Sequence, residues 1–426
     1  MKFTNFAKQF DPDSGILQLM SDLGGVDPHK GPISMLGGGN PAMIPGMERA
    51  YRREMNLLLE NGRSFESMLG AYDAPVGNLA FIEALAGLLS EQYGWPVNAR
   101  NIAVTNGSQS SFSVLFNLFG GQVGDSRFQR ILFPLTPEYI GYSDVGLGDR
   151  SIFTSNLPQI EYRGDRGFKY KVDLDRLDPG EDIGAICLSR PTNPTGNVVT
   201  DRELDVMRKL AAERGIPLIL DCAYGQPFPD IVFTPAEPVW DRNIILCLSL
   251  SKLGLPGVRT GIVIADEPVI ELLTGANAIF SLAPGRFGPT LVSGIVKSGE
   301  ILKLCREVVR PWYRERSQLA IDIANDLMAD IPLRIHLSEG AIFLWFWFEG
   351  LPISSETLYR RLKSRGVYVI AGHHFFPGIE GQWRHMHECI RVSYAAPEED
   401  LRRGLAVISE EVRIAYDDQN SKISAQ

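Results

Sequence analysis

The sequence predicts an α/β fold: a mostly parallel central sheet in a large domain, followed by a smaller α+β domain. Three observations predict it. Between about residues 100 and 265, short apolar runs alternate with polar loops and helical segments, as in a parallel sheet wrapped by helices. Polar residues gather directly after those runs, at strand C-termini, where open α/β sheets bind ligands. After about residue 290 the texture changes to mixed-charge helix followed by separate strand-like runs. The expected organisation is an N-terminal arm over 1–50, a large domain over 51–295 and a small domain over 296–426.

Residues 1–50 are rich in Gly, Pro and Asp and contain Met35-Leu36-Gly37-Gly38-Gly39-Asn40-Pro41. Such a segment drapes over the rest of the molecule, and its glycines let backbone approach a ligand. Tyr72 lies on a Pro/Gly loop, where its phenol can either pack or reach a ligand. A helix is expected from Leu79 to Tyr93, with Phe81, Leu85, Leu88 and Leu89 on one face. The strand Ile102–Val104 leads through Thr105-Asn106-Gly107 into a helix that starts near Ser108 and Gln109. Strand, glycine turn and helix N-terminus make an anion site; Ser108 can also cap that helix.

Ile131–Pro134 is the next strand, followed by Tyr139 and Tyr142, either of which can lie flat on a planar ligand. After the strand Ile183–Leu188, two prolines bracket Asn193; the turn is either merely stiffened or holds the amide toward a ligand atom. The helix 201–214 precedes the strand 217–220, which ends in Asp221-Cys222-Ala223-Tyr224. A carboxylate directly after an apolar strand is costly unless paired. The runs 243–247 and 261–265 flank Ser249-Leu250-Ser251-Lys252, with Arg259 beyond. A desolvated lysine near another cation has a lowered pKa and acts as nucleophile or Schiff-base partner, while Ser249, Ser251 and Arg259 can hold a phosphate. Further strands are expected at 333–337, 342–348, 367–370 and 390–393, and helices at 355–365 and 397–415, with a frayed tail from Asp417 to Gln426.

The chain of 426 residues is 44% hydrophobic and 22% charged, enough for a large core. Its net charge of −9 argues against nucleic acid as a partner. The cysteines at 187, 222, 247, 305 and 389 form no CxxC, so they are expected to be reduced, in a cytoplasmic protein. The N-terminus shows no apolar signal region, and no apolar run approaches the ~18 residues of a membrane span. His373, His374, His385 and His387 cluster in sequence, but only Glu388-Cys389 offers a ligand nearby, so no metal is expected.

The motifs YDAPVGN, NGSQ, PEYIGY, SRPTNPTGN, DCAY, SLSK, PGVR and IRVSYA stand in one order over about residues 30 to 400. As a set they resemble the fold-type I pyridoxal 5'-phosphate (PLP) enzymes of the aspartate aminotransferase superfamily. The resemblance implies that Lys252 carries the cofactor and shuttles the substrate Cα proton. Asp221 would pair with the pyridine nitrogen, and Asn193 and Tyr224 with the ring 3'-oxygen. Tyr139 would stack on the ring. Gly107, Ser108, Gln109, Ser249, Ser251 and Arg259 would hold the phosphate, and Tyr72 the phosphate of a partner subunit in a homodimer with shared sites. Arg391 would bind the substrate carboxylate, with Gly38 lying over the substrate. Lys252 and Arg259 are seven residues apart, where the family more often has eight.

The expected activity is transfer of an amino group between small neutral or branched amino acids and 2-oxo acids. Ile33, the GGGNPA segment and Ala341-Ile342-Phe343 are the expected apolar surface for the side chain. A lyase, decarboxylase or racemase of the same fold competes with that reading, since fold does not fix reaction. A PLP-binding regulator does so poorly, because such proteins carry a basic helix-turn-helix domain ahead of the motifs.

Overall fold

A computed structural model describes residues 1–2, 7, 10, 14–24, 31–148, 150–177 and 179–424, with side chains to 419. The rest of the arm and the last two tail residues lie outside the described residues.

The central sheet has eight strands. Across it run Ile102–Thr105, Gly261–Ile264, Ile244–Ser249, Leu218–Asp221, Ile183–Ser189, Arg127–Phe133 and Gly121–Val123, with Phe153–Ser155 also pairing with Arg127–Phe133. The pairings from Ile244–Ser249 through Phe153–Ser155 are parallel, whereas Gly261–Ile264 is antiparallel to both neighbours. These strands are apolar along their length because both faces are covered. Cys187, Ile219 and Cys247 pack on one side with Phe112, Leu115 and Phe116 of the helix Ser108–Phe119. Leu188, Leu220 and Leu246 point the other way, toward Leu204, Met207 and Ala211 of the helix Asp201–Arg214. That second helix has a capping box between Thr200 and Glu203 and ends at the left-handed Gly215.

The register brings the polar strand ends together. Ser189 pairs with Asp221, Asp221 with Cys247, Ser249 with Gly261, and Gly261 with Thr105. The ligand-facing edge is therefore one line of strand C-termini, joined by the N-terminus of the antiparallel strand Gly261–Ile264.

A second sheet has six strands, in the order Ile370–Ala371, Cys389–Ser393, Phe343–Phe348, Leu333–His336, Gly167–Lys171 and Gln159–Arg163. The hairpin 159–171, which a boundary at 295 leaves with the larger unit, thus pairs with the C-terminal strands. The arm also joins this side: Ser34 and Met35 pair in parallel with Val367 and Tyr368. Residues 287–327 are helical but broken by a π-turn at Cys305–Val309, just before Pro311, whose missing N–H cannot close an ordinary turn. The last helix runs Glu398–Ser424, past the expected end at 415, so the tail from Asp417 to Ser424 is helical rather than frayed.

Candidate active site

Lys252 sits on the short turn Ser251–Leu253 after the strand Ile244–Ser249, closed by Gly254 in the left-handed region. It lines a cavity of about 670 Å³ between the two sheets' units. Its Nζ donates to the Gly39 carbonyl at 2.7 Å and lies 5.2 Å from the Tyr224 ring centroid. Desolvation, then Arg391 and Arg259, lower its pKa to about 8, against the opposing pull of Asp221. This amine is a nucleophile near neutral pH.

Asp221 ends the strand Leu218–Asp221 and is buried. One carboxylate oxygen accepts from the Ala223 N–H at 2.8 Å, the other from the Tyr142 hydroxyl at 2.5 Å. Burial raises its pKa; these two hydrogen bonds and Lys252 pull it back. The residue pattern alone left Tyr139 and Tyr142 as candidates for a flat aromatic surface, and the family resemblance chose Tyr139. Tyr142 is fully buried, stacked on Phe133 at 5.6 Å, and spends its hydroxyl on Asp221. Tyr139 lines the cavity, its ring perpendicular to that of Tyr142. Nothing in the sequence marked Tyr142 as the carboxylate's donor.

The anion cradle is built where the helix Ser108–Phe119 begins. Its first N–H groups have no intrahelical partners and sit at the positive end of the dipole. Gly107 has φ 90°, and a Cβ there would lie 2.2 Å from Nη2 of Arg259, so only glycine fits. Arg259, itself left-handed at φ 47°, donates to the Pro256 carbonyl at 3.2 Å. Ser108, Ser249 and Ser251 line the same cavity, with Ser249 Oγ accepting from the Ser251 N–H. Gln109 is there too, but its amide donates to the Gly141 carbonyl at 2.7 Å, leaving its backbone N–H for an anion.

Arg391 comes from the other sheet and is 1% exposed. Nη1 donates to Asn193 Oδ1 at 2.7 Å, and Nη2 to the Gly37 carbonyl at 2.6 Å. Its guanidinium lies 4.0 Å from the Phe343 ring centroid. Burial lowers its pKa to about 10, although Tyr224 and Tyr139 oppose the shift. Its Nε is buried with no hydrogen-bond partner among the described residues. A guanidinium has five N–H donors, so the fork retains capacity for a carboxylate.

Two expected placements differ. Among the three glycines it is the carbonyls of Gly37 and Gly39 that meet Arg391 and Lys252; Gly38 is not among the cavity's lining residues, and a Cβ on it would meet Leu23 of the cavity wall and Met35. Tyr72, expected to reach a partner subunit's site, is outside this chain's cavity and 84% exposed, which leaves that expectation standing. Ile33, Ala341, Ile342 and Phe343 do not line the cavity; Phe343 instead packs on Arg391 and Tyr224. The apolar wall is made by Ile16, Leu19, Met20 and Leu23 of the helix Gly15–Gly24. That helix was missed within the Gly/Pro-rich arm, although its i, i+3, i+4, i+7 apolar spacing is visible on inspection. Sequence reading also missed Glu138, fully buried beside Asp221. Its carboxyl accepts from the Ser189 N–H and hydroxyl, and burial pushes its pKa up to about 8.

A lysine of lowered pKa, a buried carboxylate, a helix N-terminus and a buried arginine thus meet in one cavity at the strand ends of an α/β scaffold. The chain belongs to the family "Aminotransferase class I and II", whose sequence profile matches residues 58–408. It is 47% identical to the valine–pyruvate aminotransferase of Escherichia coli, covering 98% of this chain and 99% of that protein. The crystal structure of a putative amino-acid aminotransferase from Psychrobacter arcticum superposes with TM-score 0.93 at 46% identity, over 98% of this chain and 99% of that one. The valine–pyruvate aminotransferase of Salmonella typhimurium gives TM-score 0.87 at 46% identity, over 95% of this chain and 100% of that one.

Proposed function

We propose that this aminotransferase uses PLP to exchange L-valine and pyruvate for 3-methyl-2-oxobutanoate and L-alanine. The observation that carries the reading is the composition of the cavity wall: Ile16, Leu19, Met20 and Leu23 on one side and, among the described residues, only Arg259 and Arg391 as arginines. Arg259 belongs to the anion cradle and Arg391 to the substrate carboxylate. A side-chain carboxylate would be left without a counter-charge, at a cost of several kcal/mol. A valine side chain would gain roughly 1.5–3 kcal/mol on burial there. Arg286 and Arg384 are engaged with Asp73 and Glu388 outside the cavity.

The cavity suits the cofactor on two observations: Gly107 leaves room where a Cβ would strike Arg259, and Asp221 is a buried carboxylate facing into the space. When bound, PLP supplies a protonated pyridine ring that acts as an electron sink. Asp221 would hold the ring proton, and Tyr142 and the Ala223 N–H keep the carboxylate oriented. Tyr139 would cover one ring face, with Asn193 and Tyr224 toward the ring oxygen. Gly107, Ser108, Gln109, Ser249, Ser251 and Arg259 would hold the phosphate. Lys252 would bind the cofactor and then, released, move the proton at the substrate Cα. Arg391 would grip the substrate carboxylate of amino acid and oxo acid alike.

A homodimer fits the surface. Tyr72, Ile279, Phe280 and Leu282 are all more than half exposed. The loop that carries Tyr72 and the C-terminal end of the helix Glu267–Ser281 are tied together by Asn277 to the Pro75 carbonyl and Arg286 to Asp73. Exposed apolar groups of this kind would suit a subunit interface, and Tyr72 would reach across it to a partner's phosphate site. All five cysteines are buried and free, as in a reducing cytoplasm. Among the described residues no helix is long and apolar enough to cross a membrane.

Initial rates for valine, alanine, aspartate and glutamate, each against pyruvate and 2-oxoglutarate, test the substrate. Valine with pyruvate is expected to give the highest kcat/KM. Equal or faster turnover of aspartate or glutamate refutes the substrate assignment. With amino acid alone, a stoichiometric half-reaction separates transamination from lyase or decarboxylase chemistry.

A further inference from the structure

We propose that Glu356, His373 and His374 bind one divalent transition-metal ion of the zinc class. The sequence offered only Glu388-Cys389 near the two histidines, and Glu356 went unnoticed because it lies on a separate element, the helix Ser355–Ser364. The fold brings it to the turn Gly372–Phe375, so that one nitrogen of each imidazole and one carboxylate oxygen lie within 4.8 Å of one another. His374 Nε2 is 3.9 Å from Glu356 Oε2. These two atoms and His373 Nδ1 are buried, with no hydrogen-bond partner among the described residues. Three convergent unpartnered polar atoms from separate side chains are what a missing cation would satisfy.

The donor set selects the ion. Two imidazoles and one carboxylate suit zinc and its neighbours, whereas magnesium and calcium prefer oxygen ligands. Zinc holds such donors at about 2.0–2.2 Å, hence roughly 3.4 Å from one another, so the side chains close by about an ångström on binding. The second carboxylate oxygen of Glu356 accepts from Arg360 Nε at 2.9 Å, which orients the ligand. His373 is further braced by His387, stacked at 5.4 Å. Burial holds the pKa of both histidines near 4, so their lone pairs are free of protons at neutral pH. The site is separate from the Lys252 cavity, whose lining includes none of the three residues. It is next to that cavity's apolar wall: a Cβ on Gly15, the first residue of the Gly15–Gly24 helix, would lie 2.7 Å from His374 Nδ1. A bound ion would fix the turn on which that helix end rests.

The test is titration of the cofactor-loaded enzyme with Co²⁺, read by visible d–d absorption and by metal content after dialysis, with Zn²⁺ as competitor. One ion per chain is expected, displaced by Zn²⁺. Loss of an orienting partner alone costs ~10–100-fold in metal affinity, so His373→Ala/His374→Ala should weaken binding by at least ~100-fold. Glu356→Gln, nearly isosteric, should weaken it substantially while leaving thermal unfolding and metal-free transaminase rates unchanged. Failure of the wild type to take up Co²⁺ stoichiometrically overturns the proposal. So does undiminished affinity in Glu356→Gln and in the double variant.

Discussion

Replacing Arg391 by alanine tests the site where its two halves meet. The guanidinium is buried, and it joins three parts of the chain: its own strand, Asn193 on the proline-bracketed loop, and the Gly37 carbonyl on the arm. Its remaining N–H groups, Nε among them, are the donors available to a substrate carboxylate. Truncating one partner of a desolvated, hydrogen-bonded charge pair costs roughly 2–5 kcal/mol. At ~1.4 kcal/mol per tenfold, kcat/KM should fall ~30- to ~4,000-fold. The loss should appear as raised KM for valine and for pyruvate, since both present the same carboxylate. The cofactor absorbance should persist, because the anion cradle and Asp221 are untouched. Arg391→Lys should fall between the two: it keeps the charge but loses the fork that holds Asn193 and Gly37 together. Steady-state kinetics with each substrate varied in turn, plus the absorption spectrum of each variant, make the measurement. Wild-type KM for both substrates in Arg391→Ala would refute the assignment. A selective loss of one substrate would do so as well, because a shared carboxylate site cannot discriminate between them.

Three further outcomes are expected. Borohydride reduction of the loaded enzyme should fix the cofactor to Lys252, and Lys252→Ala should abolish both the adduct and turnover; an adduct on another lysine, found by peptide mass analysis, would overturn the site. Lys252 is depressed to about 8 from an ordinary 10.5, so the unfolded chain binds more protons between those values and wild-type stability rises with pH across that window. Cofactor-free Lys252→Met should therefore melt higher than wild type at pH 7, with the gap narrowing from about pH 8 towards 10.5; a gap that does not change with pH would contradict the depressed amine. Tyr142→Phe removes a hydrogen bond that lowers the Asp221 pKa, so that pKa rises. At roughly 1.5–3 kcal/mol for a bond to a charged group, the acidic limb of the rate profile should move up by about one to two pH units, and an unmoved limb would show that Asp221 does not set it.

How much of this was legible follows from where each residue's energy is decided. Thr105, Ser189, Asp221 and Ser249 each follow an apolar run directly, and a polar group there needs a partner, so sequence alone marked the strand ends as a site. Gly107 was legible for a similar reason: strand, glycine and helix start are consecutive. What failed to show was decided between elements. Gly37, Gly38 and Gly39 are identical in sequence, and only the approach of Lys252 and Arg391 picks out the carbonyls of the outer two. Tyr139 and Tyr142 differ only in which one Phe133 and Asp221 claim. The hairpin 159–171 has strand patterning that fits either sheet, and pairing with Leu333–His336 settles it. Glu356 had no visible link to the histidines because 17 residues and a change of element separate it from His373.

The Gly15–Gly24 helix carries the same logic into specificity. Its apolar face has no core of its own to bury; Leu19 is buried, while Ile16, Met20 and Leu23 turn toward the cavity. A short surface helix, tied to the body by this stripe and by buried Asp22, which accepts from the Tyr359 hydroxyl and from Lys363 Nζ, each at 2.6 Å, opens at lower free-energy cost than the sheet beneath it. The wall that would select valine over aspartate is thus the part of the site best able to move, whereas Lys252, Asp221 and Arg391 stand on strands and strand ends that are buried on both faces. Chemistry fixed on the rigid sheet and side-chain choice assigned to a movable cover would let related enzymes change substrate by altering this one helix without disturbing the reaction.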